Sequence, residues 1–248
     1  MQGFTRFALH LMLTLRLVPA LLVASVVLPP GLCVAQEVDT PARGGGSGSV
    51  FAPSGWLTLI TPLQPRVDLK LSGFYIGELD VPVGQVDVSI RATKFLTITP
   101  SYMYYSAPAS ALNKLAPGPG GPFTDSYDEH QFRIDGTLNF SVRKFEMSAR
   151  NMFVRRFRPG QAGDMNRYRG RVGIAHPLAV AGRVWKPFAA YEAYYEHSGG
   201  GWNKDRLSGG VTLPLMQRVL FQPSYMYERT DGTEDVHYLL FGLIIKTR

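Results

Sequence analysis

Cysteine is almost missing: 248 residues hold one, Cys33. It lies within residues 1–35, which have the make-up of a cleavable secretory leader. That stretch carries Arg6, His10 and Arg16 with no acid, then the apolar run 17–28, then Cys33-Val34-Ala35 ahead of Gln36. This is the order of a positive n-region, a hydrophobic h-region and small cleavage-site residues. The run is shorter than the ~20 residues of a helical membrane span, and Pro29-Pro30 ends it. Leu32 stands where a lipoprotein signal wants a small residue. Without residues 1–35 the chain can form neither a disulfide nor a thiolate metal site.

Other absences narrow the function. Beyond the leader no long segment places apolar residues at i, i+3, i+4 and i+7, which argues against a helical bundle. No GxSxG, HExxH, CxxC, P-loop or GxGxxG pattern occurs. The histidines after residue 35 are His130, His176, His197 and His237. Only His197-Ser198, beside Glu196, places a base near a hydroxyl, and that run is short and common. No catalytic residue, metal ligand or cofactor is therefore expected. The formal charge is +7 and the pI about 9.6, but the bases are dealt out singly instead of forming one patch, which argues against nucleic acid.

Alternation is what the chain does have. After a Gly-, Ser- and Pro-rich stretch, 36–54, expected to be a flexible mature N-terminus, ten segments alternate apolar and polar residues: 66–77, 84–91, 95–106, 128–141, 145–158, 166–178, 185–197, 202–215, 218–230 and 234–247. In 128–141, Phe132, Ile134, Leu138 and Phe140 share one parity, while Gln131, Arg133, Asp135, Thr137 and Asn139 share the other. Period two means strands. An eleventh candidate, 56–63, precedes them. Short connections follow 84–91, 128–141 and 202–215, and longer ones fall between, notably 107–127. Short turns at one end and long loops at the other mark an antiparallel up-and-down transmembrane barrel, here over 55–248. A sheet in lipid must close, because an open edge leaves backbone groups unpaired. Ten strands, or twelve if another hides near Val50, would satisfy the even number usual in bacterial barrels, and twelve is the slightly better fit. Pro100-Ser101-Tyr102-Met103-Tyr104 recurs as Pro223-Ser224-Tyr225-Met226-Tyr227, either a trace of duplication or convergent chemistry. A proline inside a strand cannot donate to the ladder, so a bulge or a missing bond is expected at each.

In such a barrel the apolar parity faces lipid. Tyr102, Tyr104, Tyr191, Tyr195, Trp202, Tyr225 and Tyr227 would form interfacial aromatic girdles. The polar parity faces the lumen and holds Arg133, Asp135, Arg150, Arg156, Arg169, Arg171, Glu192, Glu196 and Arg206, with Arg158 and Arg167. Buried charge needs partners, so Glu192 and Glu196 should bridge Arg169 or Arg171 on one side and Arg206 on the other. The network either fills and stiffens the barrel or lines a narrow path that favours anions.

The stretches NRYRGRVGIAHPL, PFAAYEAYYE, WNKDRLSGGVTLPL, PSYMYER and DVHYLLFGLIIKTR within 166–248 resemble an uncharacterised family of Gram-negative outer-membrane barrels, a domain of unknown function. The matching positions are Asn166-Arg167-Tyr168-Arg169, Pro187-Phe188 with Glu192, Trp202-Asn203 with Arg206, and Tyr225-Met226-Tyr227. Asp205 interrupts an expected Asn-Arg pair, and the chain ends in Lys246-Thr247-Arg248 instead of an aromatic. The resemblance implies an outer-membrane barrel and carries no activity with it. The expected role is that of a structural barrel or a narrow, anion-favouring conduit for small solutes in the bacterial outer membrane. Its partners would be outer-membrane lipids, the barrel-assembly machinery and small anionic solutes. Two rivals stand: a lipid- or envelope-modifying barrel hydrolase, and a soluble β-sandwich or lipocalin-like binder with a sealed apolar core.

Overall fold

A computed structural model describes residues 49–77, 80–110, 126–157, 165–197, 201–231 and 234–247. The leader, most of the 107–127 connection, Arg158 and Ser198 lie outside the described residues. Twelve strands follow in chain order: β1 (Ser49–Gln64), β2 (Val67–Ile76), β3 (Val81–Arg91), β4 (Leu96–Ala107), β5 (Tyr127–Val142), β6 (Phe145–Phe157), β7 (Met165–Ala175), β8 (Leu178–Val180), β9 (Arg183–Glu196), β10 (Gly201–Met216), β11 (Val219–Thr230) and β12 (Asp235–Lys246).

Each strand pairs antiparallel with its neighbour in sequence except at two places. The first is β7–β8. Both pair with β9 in one continuous register, Ala175 opposite Phe188 and Leu178 opposite Trp185. They form a single barrel strand interrupted at His176-Pro177, where Pro177 and the facing Pro187 offer no N–H. The hairpin that follows turns on Ala181 and Gly182, both at positive φ. The interval between the alternating segments 166–178 and 185–197 is thus a strand end and a two-residue turn. The second is the closure. β1 pairs with β12 in parallel, from Ser49 opposite Asp235 to Ile60 opposite Lys246, so the sheet closes with eleven strands.

Eleven corrects the expectation of an even number, and twelve in particular. Segment 56–63 belongs to the barrel, and β1 itself runs through the stretch near Val50. The strand begins at Ser49, so residues 49–54, assigned to the flexible N-terminus, are in the wall. Their Gly, Ser and Pro content masks the alternation, and the partner β12 supplies it. Stagger follows from register. Traced pair by pair from Ser141 through Glu146, Ala175, Phe188, Gly210, Ser224, Leu240, Ser54, Ile76 and Val81, and then to Ala107 by extending the register of Val83 opposite Tyr105, the ladder returns to β5 at Tyr127. That offset of about 14 residues over eleven strands tilts them by about 40°, within the range of closed barrels.

Pro100 and Pro223 behave alike. The β3–β4 ladder runs in register from Val83 opposite Tyr105 to Asp87 opposite Ser101, lapses beside Pro100 and resumes at Ile90 opposite Ile98. The β10–β11 ladder lapses beside Pro223, between Gly210 opposite Ser224 and Leu213 opposite Phe221. Neither gap shifts the register, so both faces keep their parity.

The outer face is apolar. Leu57, Leu71, Val86, Ile98, Phe132, Ile134, Phe153, Val172, Leu207 and Phe241 are all exposed, forming a belt far larger than a water-facing surface carries. The inner face has two halves. Toward the long loops, strands β12 and β1–β4 bring Ala52, Ile76, Val81, Val83, Met103, Tyr105, Val236, Tyr238 and Leu240 into an apolar cluster with Trp56 and Phe74, whose rings stack with centroids 6.3 Å apart. Trp56 lies directly over Gly242, where any side chain would meet the indole. The facing wall is charged. Toward the short turns Thr58, Ser72, Ser89, Thr97, Thr99, Thr137, Ser148 and Thr212 line the wall, together with Phe188, Ile244 and the half-buried Lys186–Glu146 pair at 2.7 Å. A soluble sandwich with a sealed apolar core is thereby excluded.

Arginine at Ile134, mid-belt on the outer face, is expected to lower stability in bilayers by about 2–4 kcal/mol, and arginine at Val142, beside a short turn, by about 0–1 kcal/mol. Equilibrium urea unfolding into lipid vesicles tests this, and equal costs at both sites would contradict the belt.

Candidate functional site

The charged wall is built from one parity of β5–β7 and β9–β11. Arg133 and Asp135 come from β5, Arg150 and Arg156 from β6, Arg167, Arg169 and Arg171 from β7, Glu192 and Glu196 from β9, and Arg206 from β10. All are buried, none more than 8% exposed. Among the described residues the buried charged side chains are eight bases and six acids. The acids are Asp87, Glu129, Asp135, Glu192, Glu196 and Glu228, so bases still exceed them.

Four carboxylates tie these strands together. Glu129 is held by Arg156 through Nε and a terminal nitrogen, both at 2.6 Å; Tyr105 donates to it at 3.0 Å and Gln131 at 2.6 Å. Arg156 reaches on to Glu196 at 3.1 Å, which also pairs with Arg167. Glu192 accepts from Arg150 at 2.8 Å and from Arg169 at 3.1 Å, and the Tyr194 hydroxyl donates to it at 2.9 Å. Glu228 on β11 pairs with Arg206 and, at 3.0 Å, with Lys204.

Tyr194 is the hub. Its ring is fully buried, with the guanidinium carbons of Arg169, Arg206 and Arg167 at 4.7, 5.2 and 5.6 Å from its centroid and the Lys204 ammonium at 5.7 Å. A desolvated tyrosine face attracts such cations, and its hydroxyl anchors the carboxylate that binds one of them.

The pairing differs in part from that expected. Glu192 does bind Arg169, but its other short contact is Arg150 of β6. Glu196 binds Arg156 and Arg167, while Arg206 takes Glu228. Glu129, Tyr194, Lys204 and Glu228 complete the layer and were not singled out from the sequence. Each shares the inward parity of its strand, so alternation alone could have found them. They lie near strand ends beside loop residues, where inward and rim positions look alike.

Tyr102, Tyr104, Tyr191, Trp202 and Tyr225 are exposed on the outer face, and Tyr195 and Tyr227 are half-buried there. Tyr191 sits opposite Val172 and Leu207, inside the apolar belt. The repeated pentapeptide builds the same cluster twice. Tyr102 bonds His130 at 2.7 Å and Tyr104 donates to Asp128 at 3.3 Å; Tyr225 bonds His237 at 2.5 Å and Tyr227 donates to Asp235 at 2.7 Å. His197 meets Tyr195 edge-on, and His176 bonds the Lys144 carbonyl at 3.1 Å. All four histidines thus lie outside the lumen. No group of three or more His, Cys, Asp or Glu among the described residues could hold a metal ion.

The model of a family described as a protein of unknown function (DUF2490) matches residues 57–238. No curated protein matches the chain. Among solved structures it is similar to LpxR from Salmonella typhimurium, at 9% identity and a TM-score of 0.43 over 72% of this chain and 83% of that one. It is also similar to an anion-selective porin from Comamonas acidovorans, at 14% identity and a TM-score of 0.36 over 73% of this chain and 53% of the porin. The β domain of the Bordetella autotransporter BrkA gives 17% identity and a TM-score of 0.41 over 69% and 77%. These likenesses extend to barrel architecture and no further.

Replacing Glu228 by Gln leaves Lys204 and Arg206 buried without their carboxylate, and is expected to cost about 3–5 kcal/mol. Asp205→Asn, at the exposed pair with Arg229, should change stability little. Unfolding of the two variants side by side in detergent tests this. A Glu228→Gln protein as stable as wild type would show that the layer contributes nothing.

Proposed function

We propose that this chain, which belongs to the DUF2490 family, is a non-enzymatic outer-membrane barrel whose charged layer constricts the lumen, and that what passes the constriction is small and anionic. The observation that carries the reading is the pairing of an apolar outer belt with a buried interior layer in which bases exceed acids. The belt suits lipid on all sides. A constriction lined mainly by arginine raises the barrier for cations and lowers it for anions. An eleven-strand barrel falls between those that side chains fill and those that leave an aqueous channel, and here the fill lies in the loop-side half. The half toward the short turns, lined mostly by hydroxyls with the Lys186–Glu146 pair and Phe188, offers solutes a largely polar approach to that layer. Outer-membrane lipids would surround the barrel, and the barrel-assembly machinery would insert it.

A hydrolase would need a base beside a nucleophile, oriented by a third group. The outward placement of His130, His176, His197 and His237 gives that alternative no support among the described residues.

In planar bilayers the refolded wild type is expected to give small steps with anion preference. Glu192→Gln, which leaves Arg150 and Arg169 less neutralised, should strengthen that preference. Cation selectivity would overturn the proposal. Inserted barrels that stay silent in both forms would remove the conduit and leave a structural barrel.

A further inference from the structure

The break in the seventh barrel strand leaves a notch on the outer face. His176 still donates its N–H to the Pro187 carbonyl at 3.0 Å, but Pro177 and Pro187 have no N–H to give, and the small Ala189 lies beside them. The open notch has a volume of about 220 Å³ and is bordered on its outer side by Phe145, Ile174, His176, Pro187 and Ala189. Its lining is apolar except at one end, where His176 bonds the carbonyl of Lys144 at 3.1 Å and lies against the Phe145 ring at 4.9 Å. That end is the β5–β6 turn, Arg143-Lys144, and both side chains are exposed. Arg143 has φ +55°, a left-handed conformation that glycine or asparagine adopts with less strain.

The surroundings carry the same sign. Every short turn has an exposed base in or beside it: Arg66, Lys94, Arg143 with Lys144, Arg183 and Arg218, with Lys246 at the end of β12. The described edges of the long loops are mixed, carrying Asp80, Asp128, Asp231, Glu234 and Asp235 beside Arg155 and Arg229. The short-turn rim therefore attracts anions just where the apolar belt meets water.

We propose that the notch is a binding site for one anionic phospholipid, with an acyl chain along Ile174, Pro187 and Ala189 and the phosphate against Arg143, Lys144 and His176. Phosphate is the anion that lies at this depth beside a hydrocarbon layer, and clustered bases at that level attract it. The alanine at position 189 and the prolines leave the chain room that larger side chains would fill. The site rests on the membrane-barrel reading given above.

Native mass spectrometry of the full chain in detergent, titrated with phosphatidylglycerol or with phosphatidylcholine of the same chains, tests the site. Wild type should retain one phosphatidylglycerol at a concentration at least tenfold lower than phosphatidylcholine. Arg143→Gln with Lys144→Gln should abolish that difference, and Ala189→Phe should weaken both lipids. Arg218→Gln, at another turn, should change nothing, and excess inorganic phosphate should not displace the lipid. Equal retention of the two lipids by wild type would overturn the site, as would an Arg218→Gln effect matching the double variant, or displacement by phosphate alone. If Ala189→Phe fails to fold, the double variant on its exposed turn still decides. Protease protection in vesicles separates the two readings. A protein that inserts without lipid preference loses only the site, and one that never inserts loses the barrel reading as well.

Discussion

An antiparallel sheet with an odd number of strands can close only by pairing two strands that run the same way. Here those strands are β1 and β12, and the remaining architecture follows from their seam. With both edges joined, every strand has a partner on each side, which the interior of a bilayer requires. The seam also fixes the stagger, since the register at Ser54 and Leu240 closes a circuit whose other steps are set by hairpins. Trp56 over Gly242 reinforces it from within. The indole occupies the space that a side chain on β12 would need, so this tryptophan belongs to the interior although its composition suits an interfacial girdle.

The seam also divides the interior. The strands around it carry the apolar cluster, and the strands across from it carry the charges. From the other wall Tyr105 donates to Glu129 and Met103 lies against Arg133; the guanidinium groups of β6, β7 and β10 are buried, and burial makes their pairing with Glu129, Glu192, Glu196 and Glu228 strong and its disruption costly. Tyr194 resolves the crowding of like charges by presenting a ring face to four cations at once.

Much of this was legible from period two alone. Alternation located every barrel strand, and parity assigned the arginines of β5–β7 and the glutamates of β9 to one face, where they are buried. What alternation cannot give is which neighbour a side chain meets. Glu196 pairs with Arg167 because the two are direct cross-strand partners, and with Arg156 because that residue, opposite Met165, lies one inward position nearer the loop on the next strand, a fact of register. Residues 49–54 were illegible because Gly, Ser and Pro blur the pattern, and their strand character comes from β12, nearly two hundred residues away. The interruption at Pro177 was hidden because the segment resumes in the same register. The parallel closure leaves no local signal at all.

The direction of the seam has a mechanical meaning. Ser49 lies at the long-loop end of the barrel and Lys246 at the short-turn end. Tension applied between them runs along β1 and β12 instead of across them. Hydrogen bonds in such a pair are loaded in shear and share the force, whereas two strands pulled from the same end would open one bond at a time. The barrel thus resists most where a sheet's edges would ordinarily be weakest.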